Sequence, residues 1–271
     1  MGKFENIAIL TDLDGTFFAD GAKVVERNLE AIEYFKSEGG LFSIATGRMH
    51  FNLEECIPGV EKLVNAPAIL CNGTYMYDFE SGSSTFETFL DPDVAYKTVQ
   101  LARDIKFGGF MRGSSKKAYV VDTVDKRGAA HLLSYRLTRF IEVPYSEWDT
   151  SDFYKIVFDD DEESLAILEN SIKAEFPGAY EYNRSRSTLL ELQRCGITKA
   201  SLFENFKEYY KKQGRDIVIY ACGDNNNDEA MLKKADAAVC PSNATDEVKA
   251  ICHKCLCSNN EGVIADLIYS L

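Results

Sequence analysis

Three stretches of the chain repeat one order of residues: a short apolar run, a polar turn containing glycine, then apolar positions at helical spacing. The first is Ile7-Ala8-Ile9-Leu10, followed by the turn TDLDGT and then by Val25, Leu29, Ile32 and Phe35. The second is Leu41-Phe42-Ser43-Ile44-Ala45, followed by TGR. The third is Ile217-Val218-Ile219-Tyr220-Ala221, followed by CGDNNND and the apolar pair Met231-Leu232. Unbroken apolar runs that alternate with amphipathic helices predict strands buried on both faces, the arrangement of a parallel α/β sheet. Lys199 is expected to open a further helix with Leu202, Phe206, Tyr209 and Tyr210 on one face.

Between about Ser81 and Ser187 the turn signals are denser, and the order becomes strand, helix, strand, twice over. One copy passes from the Phe86 region through DPDVAYKTVQLARDI to Lys117–Val121, the other from Tyr154–Phe158 through Leu165, Leu168, Ile172 and Phe176 to Leu189–Leu192. Gly82 with its flanking serines and the stretch Arg184–Ser187 are expected as hinges. The acidic run Asp159–Glu163 is expected as a solvated loop entering a helix N-terminus, which favours carboxylates. The predicted fold class is therefore α/β: a Rossmann-like, doubly wound parallel sheet core, residues 1–81 and 188–271, with an inserted α+β domain, residues 82–187.

Composition narrows the partners. The chain has 271 residues and a formal net charge of −13, from 43 acidic and 30 basic side chains. Such a surface repels nucleic-acid phosphates and anionic lipid, so no nucleic acid and no membrane are expected as partners. No apolar run approaches the roughly 20 residues that cross a bilayer, and no signal-peptide core is seen. Several of the eight cysteines sit in apolar strand contexts, where Cys serves as a small hydrophobe. A cytoplasmic, reduced protein is expected. Nothing in the sequence fixes the oligomeric state.

In an open parallel sheet, ligands bind beyond the carboxyl ends of the strands. Here those ends carry Asp12 and Asp14, then Thr46, Gly47 and Arg48, then Asp224, Asn227 and Asp228. Four carboxylates meeting in one crevice repel one another unless a cation lies among them, and all-oxygen ligation with room for water suits Mg2+. Residues 12 and 14, two apart on extended chain, are expected to point the same way. Beside a bound phosphate one carboxylate can attack phosphorus to form an aspartyl-phosphate, while the other can protonate the leaving alkoxide and later activate water, although DxDG alone also occurs in calcium loops and plain turns. Gly15 permits the tight turn that brings backbone amides near the phosphoryl oxygens.

DLDGT, ATGR, an isolated lysine after CGIT, and GDNNND, in this order, resemble the haloacid dehalogenase superfamily of phosphatases. More narrowly they resemble its Cof-type, class IIB branch, whose cap domain is inserted between the second and third motifs. AILCNGTYMYD (Ala68–Asp78) matches that branch's NG segment, and Asn243-Ala244 through Ser258-Asn259-Asn260-Glu261-Gly262-Val263 its C-terminal pattern. The resemblance covers essentially the whole chain. It implies Asp12 as nucleophile and Asp14 as general acid and base. It further implies magnesium held by Asp12, the Asp14 main-chain carbonyl and Asp224 with support from Asp228, and a phosphoryl group bound by Thr46, Gly47, Lys199 and Asn227. Arg48 and Asn72 are weaker candidates for substrate contact. The implied substrate is a small phosphate ester, with sugar phosphates foremost, chosen by a cap that closes over the crevice. Cap residues Arg112, Lys116, Arg184 and Arg186 are candidates to offset the negative surface. Three positions depart from the pattern: Ala200 for a usual Gly, Phe17 for a usual Leu, and Pro241-Ser242 in place of the common Met before Asn243.

Other readings keep their own tests. A phosphomutase of the same fold would return the group to a sugar rather than release phosphate. A non-catalytic phospholigand sensor would be expected to lack Asp12, Asp14 or Asp224, all of which are present. Cys252, His253, Cys255 and Cys257 invite a zinc site, but structural zinc sites usually draw on a second, distant ligand pair. Cys255 and Cys257 are expected on one face of a short strand, with Cys252 elsewhere.

Overall fold

The computed structural model describes residues 2–122 and 139–271, and the chain divides into two compact units. The first comprises Met1–Arg48, Ile57–Glu87 and Thr198–Leu271; the second comprises Met49–Cys56 and Thr88–Ile197.

The first unit is built on a five-stranded, wholly parallel sheet. Its order is Lys254–Leu256, Ala237–Pro241, Val218–Cys222, Ile7–Thr11, Leu41–Ile44. The three apolar runs read from the sequence are its three neighbouring strands, and Ala8, Ile9 and Leu10 in the middle are fully buried. Burying a side chain such as Ile9 or Leu10 stabilises by about 1.5–3 kcal/mol. Ala8, Leu10, Ile219 and Ala221 pack with Phe203, Phe206, Tyr210, Met231, Leu232 and Val248 from the helices Phe203–Lys211, Glu229–Lys234 and Asp246–Ile251. Helix Glu26–Ser37 packs on the strand Leu41–Ile44 and on helix Val263–Tyr269, with Ala31, Ile32 and Phe35 buried. The helix expected to open at Lys199 begins instead at Phe203, after a turn, and Tyr209 is exposed. The strand order leaves Ile7–Thr11 in one direction for Leu41–Ile44 and in the other for Val218–Cys222. Asp12 and Asp224 follow the two strands at that topological switch.

The second unit is a six-stranded sheet in the order Phe140–Glu142, Tyr119–Val121, Phe110–Ser115, Phe153–Asp159, Leu189–Arg194, Tyr180–Arg186. All its pairings are antiparallel except the first. Helix Pro92–Asp104 starts on Asp91, which accepts from the Val94 amide, and helix Glu162–Glu175 on Asp161, which accepts from the Ser164 amide. Their apolar faces bury Ala95, Val99, Ala102, Leu165, Leu168 and Ile172 against Met111, Ile156, Phe158, Leu190 and Leu192. The stretch Arg184–Ser187, expected as a hinge, runs from strand into the turn of a hairpin. Among the described residues no helix is long and apolar enough to cross a membrane.

Candidate active site

Extended backbone stops at Thr11, and this decides where the two aspartates point. The Asp12 amide still donates to the Cys222 carbonyl at 2.8 Å, but Leu13–Thr16 then form a tight turn, closed by the Phe18 amide on the Leu13 carbonyl at 2.8 Å. The two carboxylates consequently do not share a partner. Asp12 is buried and meets Lys199, with 2.5 Å between Nζ and Oδ1. The Asp14 side chain is 60% exposed and is held by the Arg48 guanidinium, whose Nη2 lies 2.7 Å from Oδ1 and whose Nε lies 3.1 Å from Oδ2. The expectation of one common direction is thus corrected: period-two alternation requires a strand, and a turn intervenes.

Lys199, fully enclosed, joins Asp12 to Asp228, whose Oδ1 lies 2.6 Å from Nζ. The second Asp228 oxygen accepts the amides of Asp224 and Asn225 at 3.0 and 3.2 Å, so this carboxylate aligns the turn that carries Asp224. Asp224 receives the Thr16 hydroxyl at 2.7 Å. Burial, reinforced by Asp228 and Asp224 against the pull of Lys199, pushes the Asp12 carboxyl up to about 8. Burial likewise raises Asp224, to about 6, with Thr16 opposing and Asp228 adding to the shift. Burial opposes the charge on Lys199, but Asp12 and Asp228 outweigh it and hold that ammonium above the usual lysine range.

Gly15 has φ +87°, and a Cβ there would collide with an Asp224 side-chain oxygen. Gly15→Ala is expected to displace Asp224 in addition to straining the turn, at a backbone cost of about 1–2 kcal/mol. Thermal stability and kcat should both fall, and a variant as stable and active as the wild type would remove the steric reason for this glycine.

Thr46 is buried; its amide donates to the Ile69 carbonyl, its carbonyl accepts the Asn72 amide, and its hydroxyl accepts the Arg48 amide at 3.3 Å. No helix starts on it: the next begins at His50. Gly47 is packed so closely that a Cβ would meet the Asn72 side-chain oxygen at 2.9 Å. Asn72 itself is buried in a left-handed conformation, φ +55°. Asn227 is half-buried in the turn Asn226–Asp228.

Among the described residues, the one group of three or more Asp, Glu, His or Cys able to converge on a metal is Asp12, Asp224 and Asp228, with ligand atoms within 4.8 Å of one another. The Asp14 side chain stands outside it. The hard carboxylate oxygens of that group, which on Asp12 and Asp224 belong to carboxyls that burial and neighbouring acids push toward protonation, fit a hard divalent cation. The cysteine cluster near the C-terminus does not converge in this way. The His253 ring is already engaged, its Nδ1 accepting the Ala238 amide at 2.9 Å. Cys252 and Cys255 neighbour Cys240, while Cys257 lies past the end of the strand Lys254–Leu256, beside Asp266. In the second unit Arg184 is paired with Glu169 and Arg186 with Asp159, so both neutralise local acids. Arg112 lies over the Tyr119 ring, 4.3 Å from its centroid, and Lys116 is exposed. Phe17, a departure from the family pattern, belongs to the core: it is fully buried against Phe18 and Phe42.

Thr16 was not singled out by the sequence, although the DGT motif contains it; its hydroxyl is what orients Asp224. A motif gives a residue's position along the chain, and its partner lies 208 residues away.

The family model described as haloacid dehalogenase-like hydrolase matches residues 9–268. A pyridoxal phosphate phosphatase of Escherichia coli is 25% identical over 97% of each chain. A haloacid dehalogenase-like hydrolase from Bacteroides thetaiotaomicron superposes with a TM-score of 0.85 at 22% identity, covering 99% of both chains. A sugar phosphatase of HAD subclass IIB gives 0.79 at 19% identity, over 97% of this chain and 98% of that one.

Proposed function

Because the chain belongs to the haloacid dehalogenase-like hydrolases, in their Cof-type branch, and is a phosphoric monoester hydrolase, we propose that it hydrolyses small phosphomonoesters through Asp12. A carboxylate oxygen of Asp12 attacks phosphorus in line, and the ester P–O bond breaks as Asp14 gives its proton to the leaving alkoxide. Asp14 then takes a proton from water, which attacks the aspartyl-phosphate, releases inorganic phosphate and restores Asp12. Lys199 and the Thr46 hydroxyl bind phosphoryl oxygens, with Gly47 and Asn227 beside them. Asp12, Asp224 and the Asp14 main-chain carbonyl would hold a magnesium ion, which would supply neutralisation of charge on the phosphoryl group. Asp228, with both oxygens engaged, orients Lys199 and the Asp224 turn. The observation that carries this assignment is the buried Asp12–Lys199–Asp228 array beside Asp224 at the sheet's switch point.

We assign sugar phosphates and comparable metabolites as the substrate class, on the strength of the phosphatases that this chain resembles, and the inserted domain expected at residues 82–187 as the part that selects the leaving group. We place the protein in the cytoplasm, where a reducing milieu keeps its eight cysteines as thiols. Screening phosphorylated metabolites for released phosphate tests the assignment: several sugar phosphates should be hydrolysed. Release from none, or transfer to a second sugar without free phosphate, would sink it.

The raised carboxyls give a pH signature. Both have folded values above the ordinary 3.8, so between about pH 4 and 8 these two sites bind more protons in the metal-free folded protein than in the unfolded chain. Their contribution to stability therefore falls as pH rises through that window. A cation that displaces those protons stabilises more at pH 8 than at pH 5, affinity rising roughly tenfold per pH unit for each proton released. Magnesium should raise the melting temperature more at pH 8, and EDTA should silence turnover until magnesium is restored. Equal thermal shifts at both pH values, or turnover persisting in EDTA, would count against a cation at these carboxylates.

A further inference from the structure

The C-terminal segment Asn243 to Gly262, noted in the sequence but given no role in the reaction, reaches the nucleophile turn by two routes that both pass through Asn259. On the first, the Asn259 side-chain Nδ2 donates to the Phe18 carbonyl at 2.9 Å, and the Phe18 amide donates to the carbonyl of Leu13, between the two catalytic aspartates. On the second, the Asn259 main-chain amide donates to Asn243 Oδ1 at 2.9 Å, and Asn243 Nδ2 donates to the Gly15 carbonyl at 2.8 Å. Thr16, the next residue, holds Asp224. Asn259 is 4% exposed. Its own backbone is fixed by a local clasp, with the Glu261 carboxylate accepting both the amide and the hydroxyl of Ser258, at 3.0 and 2.7 Å. Neighbouring Asn260 exchanges hydrogen bonds with Asp20 at 2.9 and 3.1 Å.

We propose that Asn259 is a positioning residue of the phosphatase reaction: through Phe18 it braces Leu13 and through Asn243 it braces Gly15, and so it sets the spacing of Asp12, Asp14 and Asp224. The turn needs an outside anchor because Gly15 is conformationally free and strand pairing ends at Asp12. Asn243 is the exposed arm of the clamp and Asn259 the buried one. This rests on Asp12 being the nucleophile, and small displacements of such a group cost rate rather than binding.

Asn243→Ala, on the surface, keeps the protein folded and isolates one arm; Asn259→Ala removes the side-chain arm. Amide hydrogen exchange over residues 12–20 and steady-state kinetics are measured on the full chain. Asn243→Ala is expected to exchange faster across this segment and to lose about tenfold in kcat at unchanged KM. Asn259→Ala, where it folds, should lose more. Because the second arm uses the Asn259 main chain, the double variant should show the two effects adding. Unchanged exchange in Asn243→Ala, or kcat equal to wild type, overturns the clamp. A wild type without phosphatase activity defeats the proposed function instead, and the exchange measurement still decides whether the turn is anchored here.

Discussion

Asp12→Asn is expected to lose turnover by on the order of 10^4-fold or more, the scale seen when a covalent nucleophile is removed. An amide of the same shape cannot form the acyl phosphate, so residual phosphate release should be at background and no phosphoenzyme should appear by mass spectrometry. The fold should persist. Asp12 is a carboxyl that burial drives toward protonation, and Lys199 keeps Asp228 as partner when the charge is deleted. Far-ultraviolet circular dichroism and a melting temperature near that of wild type would confirm that chemistry, not folding, was removed. Turnover within tenfold of wild type would end the case for Asp12.

Lys199→Met is expected to do the opposite, harming stability as well as activity. It leaves Asp12 and Asp228 buried beside each other without a cation, and breaking a buried pair from one side costs about 3–5 kcal/mol. In a protein of this size that is a melting-temperature loss of about 10 °C. The loss should shrink at pH 5, where Asp12 can take up a proton. Adding Asp12→Asn, which removes one of the two facing charges and leaves Asp228 on the amides of Asp224 and Asn225, should recover part of the stability without recovering activity. A Lys199→Met protein as stable as wild type at pH 8 would show that the lysine is not the counter-charge of this array.

These two variants separate what was legible along the chain from what was not. The strands Ile7–Thr11, Leu41–Ile44 and Val218–Cys222 were visible as apolar runs, and helix Glu162–Glu175 as the apolar positions Leu165, Leu168 and Ile172, three and four apart. The acids at the strand ends were visible for the same reason. The direction of Asp14 was not, because alternation along a strand says nothing about a turn entered at Asp12. Nor was the start of the helix after Lys199, since a lysine ahead of an apolar face reads the same whether it lies in the first helical turn or in the loop before it. The supposed hinge at Arg184–Ser187 failed for a related reason: polar, serine-rich composition marks hairpin turns as readily as linkers.

The sequence by itself determined that a parallel sheet would form and which acids would stand at its edge, because burial on both faces imposes an unbroken apolar run and the turn after it must be polar. Tertiary structure alone decided which charge meets which. Lys199 closes on Asp12 from 187 residues away, Arg48 takes Asp14, and the Asn259 side-chain amide reaches Phe18 from 241 residues away. Such pairings depend on backbone direction in turns and on which strands lie side by side, quantities that residue periodicity does not carry.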